Sequence, residues 1–144
     1  RRWLVESQAV GSLEALEFHE IEDLYLLGTR LRLRSMEHLS GEVDYKLCKK
    51  YGKTSTLSEP ITNVYLSEAE HQFLAQIPGH VVRKRRYFVA GGALDLYGQG
   101  EFAIFEMEFK SEAEAKKYLP PSFAREEVTN NALYSGASLA SRGT

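Results

Sequence analysis

Three arginines in the segment "RLRLRS" alternate with leucines, and this spacing places a cluster of guanidinium groups on one face of an extended chain. Arg30, Arg32 and Arg34 are two residues apart, which is the period at which the side chains of a β-strand point to the same side. A guanidinium can donate two parallel hydrogen bonds to one phosphate group. The pattern therefore leaves two interpretations open, a solvated sheet surface or a face that binds an anion.

Two later segments sort their charges in the same way. In "HVVRKRRYFV" the alternation places Lys84 and Arg86 on one face, and in "EFAIFEMEFK" it places Glu106 and Glu108 opposite a row of apolar side chains. Charges on an ordinary half-exposed sheet are usually interspersed in sign, whereas these faces are purely basic or purely acidic. A closed or strongly curved sheet would bring the basic and acidic faces together around a cavity.

Such a cavity has the chemistry of a polyphosphate site. Arginines hold phosphate oxygens in pairs and lysines add point charges. Paired carboxylates can hold Mg²⁺ or Mn²⁺, and the metal can bridge to the phosphate. The residue types therefore favour a small phosphorylated ligand over water as what the charged faces contact.

The elements that would position these residues are mostly strands. Eight segments are rich in β-branched and aromatic residues and are separated by turn signals such as "SGE" and "AGG". Strands that follow one another along the chain, with few helices between them, predict an antiparallel α+β domain. The predicted strands span residues 1–5, 21–28, 29–36, 42–50, 62–67, 80–89, 93–98 and 101–110.

Two helices are predicted from capping boxes, in which a serine and a glutamate three residues later satisfy free amides of the first turn. They are "SEAEHQFLAQI", with Ser67 and Glu70, and "SEAEAKKYL", with Ser111 and Glu114. Pro120 and the proline after it would end the second helix. A third helical segment is predicted from about residue 125 or 126 onward.

Composition restricts the class of protein further. The 144 residues are 43% hydrophobic and 26% charged, which predicts a single domain, 1–144, with its own core. A net charge of -2 argues against nucleic acid as a partner, and no apolar run is long enough to span a membrane. The single cysteine, Cys48, excludes an internal disulfide and favours a cytoplasmic location. A homodimer is left open.

The order of the motifs resembles that of the CYTH superfamily, the triphosphate tunnel metalloenzymes, which include class IV adenylyl cyclases, thiamine triphosphatases and bacterial inorganic triphosphatases. "RRWLV" resembles the end of the family's first strand, and "YLLGTRLRLR" its Leu-Arg-Leu-Arg strand. "YKLCKK" resembles the Tyr-x-Leu-Thr-x-Lys strand, "VRKRRY" the Lys-x-Arg strand, "FEMEF" the Glu-x-Glu-Phe strand, and "PPSFAREEVT" the close of the domain. The resemblance covers nearly the whole chain.

The resemblance implies a tunnel made by an eight-stranded antiparallel β-barrel with a few flanking helices and a charged interior. Arg30, which the motif does not cover, would be a rim residue. The implied phosphate ligands are Arg2, Arg32, Arg34, Lys50, Lys84 and Arg86. The implied ligands of Mg²⁺ or Mn²⁺ are Glu106, Glu108 and Asp95, and Glu127 is the implied acid of the tunnel near the end of the chain.

Several positions depart from the family pattern. Arg2 stands where the family has a lysine, and an arginine does not readily give up a proton. The two glutamates of the family's first strand would precede residue 1, so the first strand is interpreted as truncated. Other residues replace family acids or, in one case, a threonine: Ile61, Asn63, Ala93 and Cys48. The basic half of the tunnel is thus retained and the acidic half is thinned.

Three functions follow from the resemblance. The first is metal-dependent hydrolysis of an inorganic or organic triphosphate. The second is binding of a triphosphate or polyphosphate by a catalytically weakened domain, because phosphate binding does not need the full set of carboxylates that two-metal hydrolysis requires. The third is cyclisation of ATP, and a structural domain without anion chemistry is the remaining alternative. Whether the chain is an enzyme is left undecided, and phosphate release would distinguish the first function from the second.

Overall fold

Nine antiparallel strands form one sheet in the computed structural model, which describes residues 1–6, 13, 16–98 and 102–143. Along the sheet the order of the strands is β5-β4-β3-β2-β6-β7-β8-β1-β9. The strands are β1 (Arg2–Val5), β2 (Phe18–Leu26), β3 (Leu31–Glu37), β4 (Val43–Lys50), β5 (Ile61–Leu66), β6 (Gly79–Val89), β7 (Gly92–Tyr97), β8 (Phe102–Glu106) and β9 (Ala124–Glu127).

Three short helices accompany the sheet: α1 (Glu68–Leu74), α2 (Glu112–Lys117) and α3 (Gly136–Ser141), the last preceded by a 3₁₀ turn over Ala132–Tyr134. The capping box predicted for α1 is confirmed, because the Ser67 side chain accepts from the amide of Glu70 while the Glu70 carboxylate accepts from the amide of Ser67. No helix of the described residues is both long and apolar enough to cross a membrane.

The antiparallel α+β class is confirmed, but four details of the prediction differ from the structure. Within the described residues the sheet has nine strands rather than eight, and no pairing of its edge strands closes it into a barrel. The helical segment predicted from about residue 125 or 126 begins later, because β9 pairs with β1 first and the helical turns follow at Ala132–Tyr134 and Gly136–Ser141. The predicted strand over 101–110 ends at Glu106, so the alternation of side chains does not continue to Glu108.

The sheet has two chemically different faces. The core face carries most of the large apolar side chains, and Trp3, Phe105 and Tyr87 are buried there against partly buried aromatics that include Tyr118. The opposite face, here called the cavity face, carries the charged residues that the alternation separated from the core. The sequence pattern therefore sorts side chains correctly between a hydrophobic and a charged side.

The two edge strands, β5 and β9, do not pair with each other among the described residues, and side chains bridge the gap instead. Lys53, in the loop between β4 and β5, donates to the carbonyl oxygen of Thr129 at 3.1 Å and also contacts the side chain of Asn130. Ser55 in the same loop hydrogen-bonds Glu112 at the start of α2. These contacts, here called the clasp, enclose the space in front of the cavity face.

Candidate functional site

The cavity face borders a cavity of about 940 Å³ that is unusually rich in basic side chains. Every strand except the edge strand β9 contributes at least one residue to its lining. Four glutamates also line it: Glu59, Glu106, Glu108 and Glu112. The ten basic residues that line it are Arg1, Arg2, Arg32, Arg34, Lys46, Lys50, Lys53, Lys84, Arg86 and Lys110. This excess of positive charge suits a polyanion.

All six residues predicted to bind phosphate lie along this cavity, so the structure brings the whole predicted set together. They come together because of the register in which neighbouring strands pair. In β3 and β6 the basic residues keep the two-residue period, and the pairing of neighbouring strands aligns their rows on the cavity face. Arg30 precedes β3 and does not line the cavity; its side chain lies over Gly52. Of the three arginines in the opening segment, Arg32 and Arg34 contact the cavity.

Arg34 is held in place by a buried carboxylate that the sequence analysis did not single out. Asp23 on β2 lies opposite Arg34 in register and is fully buried. Its two oxygens accept from Nε and Nη2 of Arg34 at 2.7 and 2.8 Å. Burial alone would raise the pKa of Asp23, but the hydrogen bond and charge of Arg34 outweigh it and hold the pKa below its usual range. The sequence signal that could have identified Asp23 is its position two residues from both Ile21 and Tyr25, which places all three on one face of the strand.

Asp95, predicted as a metal ligand, is a structural counter-ion instead of a free carboxylate. It is 2% exposed, and its oxygens lie 2.7 Å from Nε of Arg86 and 2.9 Å from Nζ of Lys84. Burial would raise the pKa of Asp95, but the ammonium of Lys84 and the guanidinium of Arg86 hold it well below its usual range. Both oxygens are therefore already engaged by cations.

The part of the cavity lining that β4 forms, here called the β4 wall, carries two lysines. Only Lys50 of the two is predicted to bind phosphate. Lys46 lies opposite Arg34 in register, Cys48 lies opposite Arg32, and Lys50 follows two residues later on the same face. Burial, with the nearby guanidiniums as a further cause, lowers the pKa of both Lys46 and Lys50. Lys46 carries the same alternation signal as Lys50, but it stands at an unspecified position of the motif from which Lys50 is predicted.

Glu106 and Glu108 both line the cavity, but they do not form the predicted metal set with Asp95. Glu106 lies opposite Arg2 in register, with Oε2 3.8 Å from Nε of Arg2. Glu108 lies beyond the end of β8. Within residues 1–6, 13, 16–98 and 102–143, no group of three His, Cys, Asp or Glu side chains is placed to hold a metal ion. The described donor set does not fit a site for Mg²⁺ or Mn²⁺ built from three protein carboxylates.

Glu127, predicted as an acid of the tunnel, lies on β9 and does not line the cavity. Its carboxylate accepts from Nε and Nη2 of Arg1 at 2.8 and 3.0 Å and from the hydroxyl of Thr129 at 2.6 Å. The hydrogen bond from Arg1 is the main cause of a pKa lowered to about 2. Glu127 therefore anchors β9 next to β1, outside the cavity.

One end of the cavity face is apolar and is covered by α3. Leu139 and Ala140 of α3 pack against Val82, Tyr97 and Ile104 of the sheet. The helix approaches the sheet closely at Gly136, where an added Cβ would collide with the hydroxyl of Tyr25. The ligand space is thereby confined to the basic half of the cavity face.

Together, the fold and the site define a class of protein in which one curved antiparallel sheet encloses a polybasic cavity. Two crystal structures of the protein NE1496 have this fold, and in one of them the protein is described as an inorganic triphosphatase. Their TM-scores are 0.60 and 0.59, and each aligns at 24% sequence identity over 97% of this chain and 94% of that chain. No protein-family model and no curated protein matches the chain.

These likenesses show the fold alone: the chain shares it with a protein described as an inorganic triphosphatase, one of the activities that the sequence resemblance implies. The roles of individual residues rest on the geometry of this chain and stay predictions.

Proposed function

We propose that this chain is a divergent CYTH-type protein and that its cavity binds an inorganic triphosphate or polyphosphate. The observation that carries the proposal is the lining itself, where ten basic side chains face four glutamates. A chain of phosphate groups presents negative oxygens along its length, so it can contact cations from several strands at once. The shared fold with an inorganic triphosphatase supports the same ligand class.

Hydrolysis of the bound triphosphate is a second candidate function. Its support is the fold of NE1496 together with Glu106 and Glu108, two carboxylates that line the cavity on or directly after β8. The case for binding is stronger than the case for hydrolysis, because the basic residues are all in place whereas Asp95 and Glu127 are committed to ion pairs. The two functions need separate measurements.

Titration calorimetry with inorganic triphosphate tests the binding proposal. The double variant Arg32→Ala, Arg34→Ala should lose binding, while Arg30→Ala should retain it because Arg30 does not line the cavity. ATP and sulfate are titrated alongside to separate a free phosphate chain from a nucleotide and from a simple divalent anion. Failure of the native protein to bind triphosphate, with or without Mg²⁺ and Mn²⁺, would overturn the proposal.

Phosphate release from triphosphate, with Mg²⁺ or Mn²⁺ added and omitted, tests hydrolysis. Release by the native chain that is lost in the double variant Glu106→Ala, Glu108→Ala would establish a hydrolase. Glu42→Ala is a suitable control, since it removes an exposed glutamate that lies outside the cavity lining. Binding without release would leave the chain as an anion-binding domain.

A further inference from the structure

The basic residues of the cavity differ in whether a protein carboxylate already neutralises them. Arg34 is paired with Asp23, and Lys84 and Arg86 are paired with Asp95. In contrast, neither Lys46 nor Lys50 forms a salt bridge within the part of the chain that the structure describes. Of the four basic lining residues that form no salt bridge among the described residues, Lys46 and Lys50 lie on the β4 wall, Lys53 lies in the loop that follows β4, and Lys110 lies beyond the end of β8.

Arg32 completes this group with an unsatisfied donor. Its side chain is 12% exposed, and its buried Nε has no hydrogen-bond partner among the described residues, since the Asp23 oxygen lies 3.9 Å away. A buried donor without a partner destabilises the folded protein, and the cost is larger when the group is charged. An anionic oxygen from a ligand would supply the missing acceptor, so Arg32 indicates where a ligand atom belongs.

These three side chains share one patch of the cavity face. Arg32 lies opposite Cys48 in register, and Lys46 and Lys50 flank Cys48 by two residues on either side. Opposed residues of paired strands lie about 4.5–5.5 Å apart at Cβ, and diagonal neighbours about 7–8 Å apart, within reach of long side chains. One phosphate group can therefore contact all three cations.

No three acids of the described residues are placed together to hold a metal ion, although four glutamates line the cavity: Glu59, Glu106, Glu108 and Glu112. Asp23 and Asp95 have both oxygens bonded to guanidiniums or an ammonium. Glu127 is bonded to Arg1 and Thr129 outside the cavity. A ligand that meets unpaired cations directly does not need a metal ion to neutralise its charge.

We propose that the cavity binds the phosphate chain directly, without a divalent cation, and that Lys46 forms with Arg32 and Lys50 the subsite that receives a phosphate group. The inference rests on the proposed function, because it specifies how the same ligand is bound. It adds Lys46 as a binding residue and removes Mg²⁺ or Mn²⁺ as a requirement for binding.

The experiment measures inorganic triphosphate binding by titration calorimetry in buffer freed of divalent cations over chelating resin, and again with Mg²⁺. The native chain should bind in the metal-free buffer, and Lys46→Met should weaken binding by about tenfold or more, the change expected for one lost charge-assisted hydrogen bond. Lys49→Met is the matched control. It makes the same change on the same strand, but Lys49 lies over the ring of Tyr51 and does not line the cavity.

Each outcome bears on the proposal. Binding only with Mg²⁺ would overturn the metal-free inference while leaving the proposed function intact, and no binding in either buffer would overturn both. Equal affinities of Lys46→Met and Lys49→Met would overturn the subsite. Circular dichroism and thermal unfolding of the variants show whether each is folded, and Lys50→Met provides a second, independent test of the patch.

Discussion

Both carboxylate oxygens of Asp95 accept hydrogen bonds from the guanidinium of Arg86, at 2.7 Å from Nε and 2.9 Å from Nη2. The ammonium of Lys84 lies 2.9 Å from one of the same oxygens. Asp95 thus fixes two of the basic residues of the cavity in position. It also neutralises part of their charge, whereas Lys46 and Lys50 on β4 form no salt bridge among the described residues.

We expect Asp95→Asn to lower the free energy of unfolding by about 3–5 kcal/mol, because removing one partner of a buried ion pair leaves the other charge uncompensated. Urea denaturation of the native chain and the variant measures the change. Glu22→Gln is the control, since Glu22 pairs with Arg83 on an exposed surface where a pair is worth at most about 1 kcal/mol. A cost no larger than that of the control would show that the cluster does not stabilise the fold.

The same buried aspartates determine how stability depends on pH. The folded-state pKa of Asp23 and of Asp95 lies below the usual value of 3.8. Their contribution is therefore fully present above that value and is lost as the pH falls through the lower folded-state values. We expect the free energy of unfolding to fall steeply below about pH 4. Asp95→Asn should make the fall shallower, and an unchanged slope in that variant would contradict the assignment.

Proton uptake on triphosphate binding at alkaline pH tests the role of Lys46. The pKa of Lys46 is lowered by burial and by its charged neighbours, and a bound anion should raise it again. Triphosphate binding at alkaline pH should therefore take up more protons in the native chain than in Lys46→Met, and the difference should shrink as the pH falls. The titratable or charged groups near Lys46 are Arg34, Arg32, Cys48 and Arg86.

Calorimetry in two buffers with different ionisation enthalpies measures the uptake. Using Lys46→Met as the reference removes the contribution of the ligand's own protons, which is common to both proteins. Equal proton uptake by the native chain and Lys46→Met at alkaline pH would contradict the prediction, because Lys46 would then already carry its proton before the ligand binds.

The alternation of side chains was enough to predict which residues share a face, but not which residues meet across strands. Arg32 and Arg34 line the cavity as predicted, because a two-residue period fixes their direction. Asp23 was missed because its partner, Arg34, is brought opposite by the β2–β3 register, which no local pattern encodes. The metal-ligand role of Asp95 is implied by the resemblance alone, and the β6–β7 register that places Asp95 opposite Arg86 is likewise not encoded in any local pattern.

Local sequence patterns also do not predict where the strands begin and end. The segment "AREE" is short, charged and mostly exposed, and it forms β9 because β1 offers an edge to pair with. Conversely, the alternation around Met107 looks like a strand, yet β8 ends at Glu106. In both cases the neighbouring strand determines which residues form a strand, because a strand is stable only where another chain segment satisfies its backbone hydrogen-bonding groups.

The clasp between Lys53 and the segment after β9 provides the last prediction. Since β5 and β9 do not pair within the described residues, the contacts of Lys53 with Thr129 and Asn130 help to enclose the cavity. We expect Lys53→Met to speed triphosphate dissociation while leaving the free energy of unfolding within about 1 kcal/mol of the native value, because the contact is exposed. Stopped-flow dissociation kinetics measure the first quantity and urea denaturation the second. Lys116→Met, on α2 and outside the cavity lining, is the control for the loss of one surface charge. A dissociation rate equal to that of the control would mean that the ligand leaves by a route that the clasp does not obstruct.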